Sequence, residues 1–104
     1  FAKDDFLMKV WSYGVVDPAS ARRQLAVHRT LHELRLARFE DAAREHAPAE
    51  VSHLDPREFG EQLTVQAGIH LERSLLAWCE TADEWLRARE DATPPGASPE
   101  ERSA

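Results

Sequence analysis

The chain has 104 residues, 42% of them hydrophobic, and a net charge of −6. That is one domain's worth of sequence, too short for a catalytic domain and a regulatory one together, and the acidic balance argues against nonspecific binding to a phosphate backbone. A single cysteine, Cys79, excludes an intramolecular disulfide and a cysteine-based zinc cluster, and no apolar run approaches the roughly 20 residues of a membrane span.

No signal peptide opens the chain, so the expectation is a cytoplasmic protein with no membrane partner. It begins at Phe1 rather than Met, which reads as a fragment or a processed chain. From Lys3 to Tyr13, the residues Phe6, Leu7, Val10, Trp11 and Tyr13 recur at helical spacing, and Gly14 follows where a left-handed C-cap residue would sit. "VVDPAS" then supplies Asp17 as N-cap and Pro18 at the first helical position, where the missing N–H of proline has no helical partner to lose. The helical pattern continues to about Arg44, roughly 40 Å at 1.5 Å per residue.

"HAPAEVSHL" contains Pro48 and lacks periodicity, so it reads as a connecting loop. "LDPREFG" repeats the start signal with Asp55 and Pro56, and opens a second long helix to about Arg89. After it, residues 91–104, "DATPPGASPEERSA", offer nothing apolar to bury beyond alanine and read as a disordered tail. The expected architecture is all-α: a short helix and a long antiparallel helical hairpin in a domain of residues 1–90.

The apolar faces of this hairpin exceed what two helices can cover. On the first long helix, Ala21, Leu25, Leu36, Phe39 and Ala43 fall on one stripe, and Val27, Leu31 and Leu34 on another. On the second, Leu63, Ala67, Leu71, Leu75, Trp78, Ala82 and Trp85 form a broad seam, with Val65, Ile69 and Leu76 to one side. Leu71, Trp78 and Trp85 are heptad-spaced, with Leu75 and Ala82 at the intervening sites. Surplus apolar surface of this kind marks an interface, so the chain is expected to pack as a helical homodimer through Leu31, Leu34, Leu71, Leu75, Trp78, Ala82 and Trp85. Charge fits this expectation. Residues 1–45 carry eight Lys or Arg against seven Asp or Glu, whereas the remainder carries five against twelve, so the acidic half would attract the near-neutral one.

No catalytic signature emerges. His28 and His32 stand one turn apart, as a metal-binding pair would, but a third ligand would have to come from His70 or Cys79, and surface or interface histidines are the commoner explanation. Cys79 lies mid-helix beside Trp78 without a glycine-rich oxyanion turn, and reads as a buried structural thiol. The carboxylates Glu80, Asp83 and Glu84 read as a solvated helix face, and the four glycines form no phosphate-binding loop. No metal and no cofactor is expected. Arg22, Arg23, Arg29, Arg35 and Arg38 spread around their helix rather than along one edge, so ion pairing with the acidic second helix explains them better than nucleic acid does. Trp11, Trp78 and Trp85 supply flat surfaces suited to a planar aromatic ligand, although a dimer core is the commoner use of tryptophan and the one expected here, and a pocket at the subunit boundary would satisfy both.

The run "DFLMKVWSYGVVDPASARRQLAVHRTLHELRLARFEDA", followed after a proline-containing loop by "LTVQAGIHLERSLLAWCETADEWL", resembles the C-terminal domain of PadR-like transcriptional regulators, the virulence-activator alpha C-terminal type. The resemblance covers nearly all of residues 1–90 and rests on the order of its features rather than on one motif. It implies a dimerisation and effector domain attached to an N-terminal winged helix, which is absent from this chain. DNA would then be a partner only through that missing domain, with no DNA-binding residue here. Some members of the family receive small aromatic effectors at the dimer interface, and by similarity Trp11 and Trp78 are the positions to watch. The alternative is a helical adaptor module that uses its surplus apolar faces on a different protein.

Overall fold

A computed structural model describes residues 2–92 of the chain, with side chains described from Leu7 onward. The described residues are helical with no strand: α1 (Ala2–Ser12), α2 (Pro18–Ala43), a single 3₁₀ helix (Pro48–His53) and α3 (Pro56–Ala92). The described residues are therefore all-α, as their periodicity predicts.

Both long helices begin where the Asp-Pro pairs place them. Asp17 Oδ2 accepts the Ser20 amide at 3.1 Å, and the Ser20 hydroxyl donates to the same oxygen at 3.1 Å. Asp55 Oδ1 accepts the Glu58 amide at 2.9 Å. The Asp17 and Asp55 carbonyls also accept the first intrahelical bonds, from Ala21 and Phe59, each at 2.9 Å. Each aspartate thus satisfies an amide that the helix start would otherwise leave unpaired.

Three local expectations need correction. Gly14 does not adopt a left-handed cap. The chain leaves α1 through three-residue turns instead, with Tyr13, Gly14 and Val15 amides donating to the carbonyls of Val10, Trp11 and Ser12 at 3.1, 3.0 and 3.0 Å. These tightened bonds use the last carbonyls of the helix, so no left-handed residue is required. The connecting segment is not a plain loop either: Pro48 occupies the start of the 3₁₀ helix, whose cap is the Leu54 amide bonded to the Val51 carbonyl at 3.2 Å. Finally, α3 ends at Ala92, so Asp91 and Ala92 belong to the helix rather than to the tail. The rest of that tail, residues 93–104, lies outside the described residues.

The chain divides into two compact units. The first comprises the described parts of Phe1–Ala26 and Glu80–Ala104. Its buried side chains are Tyr13, Pro18, Ala21, Leu25 and Leu86. Beside them the guanidinium of Arg22 bonds Asp83 and Glu90, at 3.0 Å each, while Arg87 bonds the second Asp83 oxygen at 2.8 Å.

The second unit is Val27–Cys79. On its stretch of α3, Gln62, Ile69, Glu72 and Cys79 are buried, with Val65 and Leu76 half-buried. The spacing alternates three and four residues, the heptad pattern that keeps one stripe turned toward a neighbouring helix. Facing it on α2 are His32, Leu36 and Phe39, all half-buried. Two contacts fix the pairing: His32 Nδ1 lies 2.6 Å from Glu72 Oε2, and the ring of Phe39 lies so close to Gly68 that a Cβ there would be 2.6 Å from it. Arg73 adds a 3.2 Å ion pair to Glu40.

Candidate functional site

With such narrow buried stripes, many large apolar side chains of the described residues remain exposed. In the Val27–Cys79 unit, α2 exposes Val27 (70%), Leu31 and Leu34, and α3 exposes Phe59, Leu63 and Leu71 (64%). Leu75 and Trp78 are half-buried on the same side of α3, and Trp78 has interactions of its own. In the other unit, α1 exposes Leu7, Met8 and Trp11, followed by Val15 in the turn, while α3 exposes Trp85 (75%) and leaves Ala82 half-buried.

The stripes sort the residues named from sequence into two classes. Ala21 and Leu25 are buried, and Leu36, Phe39 and Ala43 are half-buried, so the first α2 stripe is the inward one. On α3 the inward stripe contains Val65, Ile69 and Leu76, the residues set to one side of the broad seam. The seam itself, from Leu63 to Trp85, is exposed or half-buried along its length. Phe59, Leu7, Met8 and Val15 share this exposure and are absent from the expected interface. Their signal is present in the sequence as apolar residues at helical spacing beside the named ones.

The inward stripe also holds polar groups. His32 and Glu72 have side chains only 12% and 9% exposed. A carboxylate oxygen only accepts, so the imidazole Nδ1–H is the donor in their contact. The hydrogen bond from Arg22, with the charge of Arg87 beside it, holds the Asp83 carboxyl below its ordinary value, and the same pairing raises Arg22 further above its own. Burial pushes the Cys79 thiol up, which keeps it in the unreactive protonated form.

The arginines of α2 are only partly engaged with the acidic helix. Arg22 reaches α3, but Arg29 pairs with Glu33 on its own helix, Arg44, just past the end of α2, pairs with Asp41, and Arg23 donates to the Ser20 hydroxyl at 2.8 Å. No group of three or more His, Cys, Asp or Glu among the described residues is arranged to hold a metal ion. His32 is occupied by Glu72, while His70 is exposed and Cys79 is buried, so these donors do not converge. No helix among the described residues is long and apolar enough to cross a membrane.

The described residues offer an extended apolar contact surface. Among known families, the model described as Virulence activator alpha C-term matches residues 2–87. No curated protein and no solved structure matches the chain.

Proposed function

The chain belongs to the virulence activator alpha C-terminal family, and on that premise we propose that it is the dimerisation and effector domain of a PadR-like, DNA-binding transcriptional regulator. The observation that carries the reading is the exposed apolar surface of α2 and α3, with Val27, Leu31, Leu34, Leu63 and Leu71 all 42% exposed or more. Solitary apolar side chains on a surface are ordinary, but successive turns of two neighbouring helices that all present them are characteristic of an interface. A second copy of the chain supplies the same surface in a two-fold arrangement.

In this reading the long helices form an antiparallel hairpin, supported by the contacts of residue 32 with 72 and of residue 39 with 68. Leu31, Leu34, Leu71, Leu75, Trp78, Ala82 and Trp85 face the second copy. The dimer sets the distance between two winged helices supplied elsewhere in a longer protein, and half-site spacing on DNA follows that symmetry. The protein works in the cytoplasm and has no catalytic role. Trp11 and Trp78 are the positions proposed for a small aromatic effector, which acts only through different affinities for two arrangements of the dimer.

Sedimentation equilibrium over a wide dilution range tests the reading. The expected mass is twice the 11.8 kDa of the chain, and Leu34→Glu combined with Leu71→Glu should return a helical monomer. A parent chain that stays monomeric and fully helical at every concentration would overturn self-association and favour an adaptor that docks a different protein.

A further inference from the structure

α3 presents two apolar seams to whatever packs on it, and the seam that α2 occupies in the Val27–Cys79 unit is the more polar one. The occupied seam contains Gln62 and Glu72 among Val65, Ile69, Leu76 and Cys79. The outer seam, Leu63, Ala67, Leu71, Leu75 and Trp78, is apolar apart from the small hydroxyl residues Thr64 and Ser74 on the same arc, and carries no charged group. Apolar burial alone would therefore turn α3 the other way round against α2. At about 100° per residue the two seams lie roughly 150° apart, so the choice is between nearly opposite faces of α3.

We propose that the His32–Glu72 contact is a pairing key, which selects the face and register at which α2 meets α3. The contact joins a half-buried imidazole to a buried carboxylate at 2.6 Å. Moving α3 by seven residues in one direction sets Glu72 against Phe39 and His32 against Cys79. In the other direction, Glu72 meets Leu25 and His32 meets Val65. Rotating α3 to its apolar seam carries the carboxylate away from the imidazole. The register shifts leave Glu72 and His32 buried without each other, and the rotation leaves His32 without its carboxylate, losses that are costly even where the native pair contributes little net stability. The Phe39–Gly68 contact marks the same register sterically, because only glycine admits the ring at that distance. This inference concerns pairing within one chain and does not depend on self-association.

The test replaces both partners, in the double variant His32→Leu with Glu72→Leu, and uses two native reporters. The chain has three tryptophans and one cysteine, the latter 1% exposed in the occupied seam. The parent should show three indole N–H signals in an NMR spectrum and a Cys79 protected from a thiol reagent. The double variant should remain helical with a urea midpoint no lower than the parent's, yet show additional indole signals and Cys79 labelling faster by about tenfold or more, as pairings exchange. Three indole signals with unchanged protection of Cys79 would overturn the proposal. So would a double variant that loses its fold, because the pair would then be needed for stability rather than for choosing a partner.

Discussion

Two glycines on α3 invite the same substitution and should answer it with opposite signs. At Gly60 a Cβ would meet nothing within 4 Å, whereas at Gly68 it would lie 2.6 Å from Phe39 Cζ and 2.7 Å from both Cε atoms. The near-equal distances put that Cβ over the face of the ring, so the ring must retreat by about 1 Å to reach the ordinary carbon–carbon separation of roughly 3.5–4.0 Å. Gly→Ala in a helix interior gains about 1 kcal/mol in propensity. Gly60→Ala should therefore raise stability by about 0.5–1 kcal/mol. At Gly68 the same gain is opposed by overpacking, which costs about 1–3 kcal/mol, so the two variants should differ by about that overpacking cost. Urea denaturation at one fixed protein concentration, followed by circular dichroism, measures both, and Phe39→Ala in each background closes the cycle. Removing the ring should make Gly68→Ala as favourable as Gly60→Ala. Two alanine variants that agree within a few tenths of a kcal/mol with Phe39 in place would refute the steric argument.

Replacing Asp55 by alanine should destabilise the fold by about 1 kcal/mol through loss of the N-cap, read as a lower thermal midpoint, while asparagine should retain most of that stability. The folded-state pKa of Asp83 is depressed by the Arg22 hydrogen bond, so its contribution is present above the unfolded carboxylate value of about 3.9 and is lost as pH falls through the folded one. The gap in urea midpoint between parent and Asp83→Asn should accordingly be widest near neutrality and close in acid. Cys79, 1% exposed and with its thiol pushed up by burial, should react with Ellman's reagent only as the fold opens, so its labelling rate should rise with urea. Immediate labelling in native buffer would contradict its placement.

How much of this was legible in the sequence varies with the kind of interaction involved. The helix starts were legible because an Asp-Pro pair states both the cap and the first residue, and the structure shows the corresponding bonds at Asp17 and Asp55. The α2 core stripe was legible because its members are apolar. The α3 core stripe was harder to see, since hydrophobicity points to the Leu71–Trp78–Trp85 seam and Gln62 and Glu72 look like surface residues until partners are known. Only the fold brings Glu72 to His32, 40 residues away in sequence. The bifurcated Arg22 pair was hidden likewise, because Asp83 stands among neighbours that read as a solvated acidic face. The 3₁₀ helix at Pro48–His53 is too short to show a period.

That short turn also bears on the order in which the chain gathers itself. Around it, Phe39 and Gly68 are 29 residues apart and His32 and Glu72 are 40 apart, so each contact farther from the turn closes a longer loop. Loop entropy grows only logarithmically, by about 0.6 kcal/mol per doubling, and once the nearer contact has formed the farther one closes only the difference. The expected route is a zipper that starts beside the 3₁₀ helix and runs outward along both helices. On such a route, changes near the turn alter how fast the chain folds, and changes far from it alter how fast it comes undone.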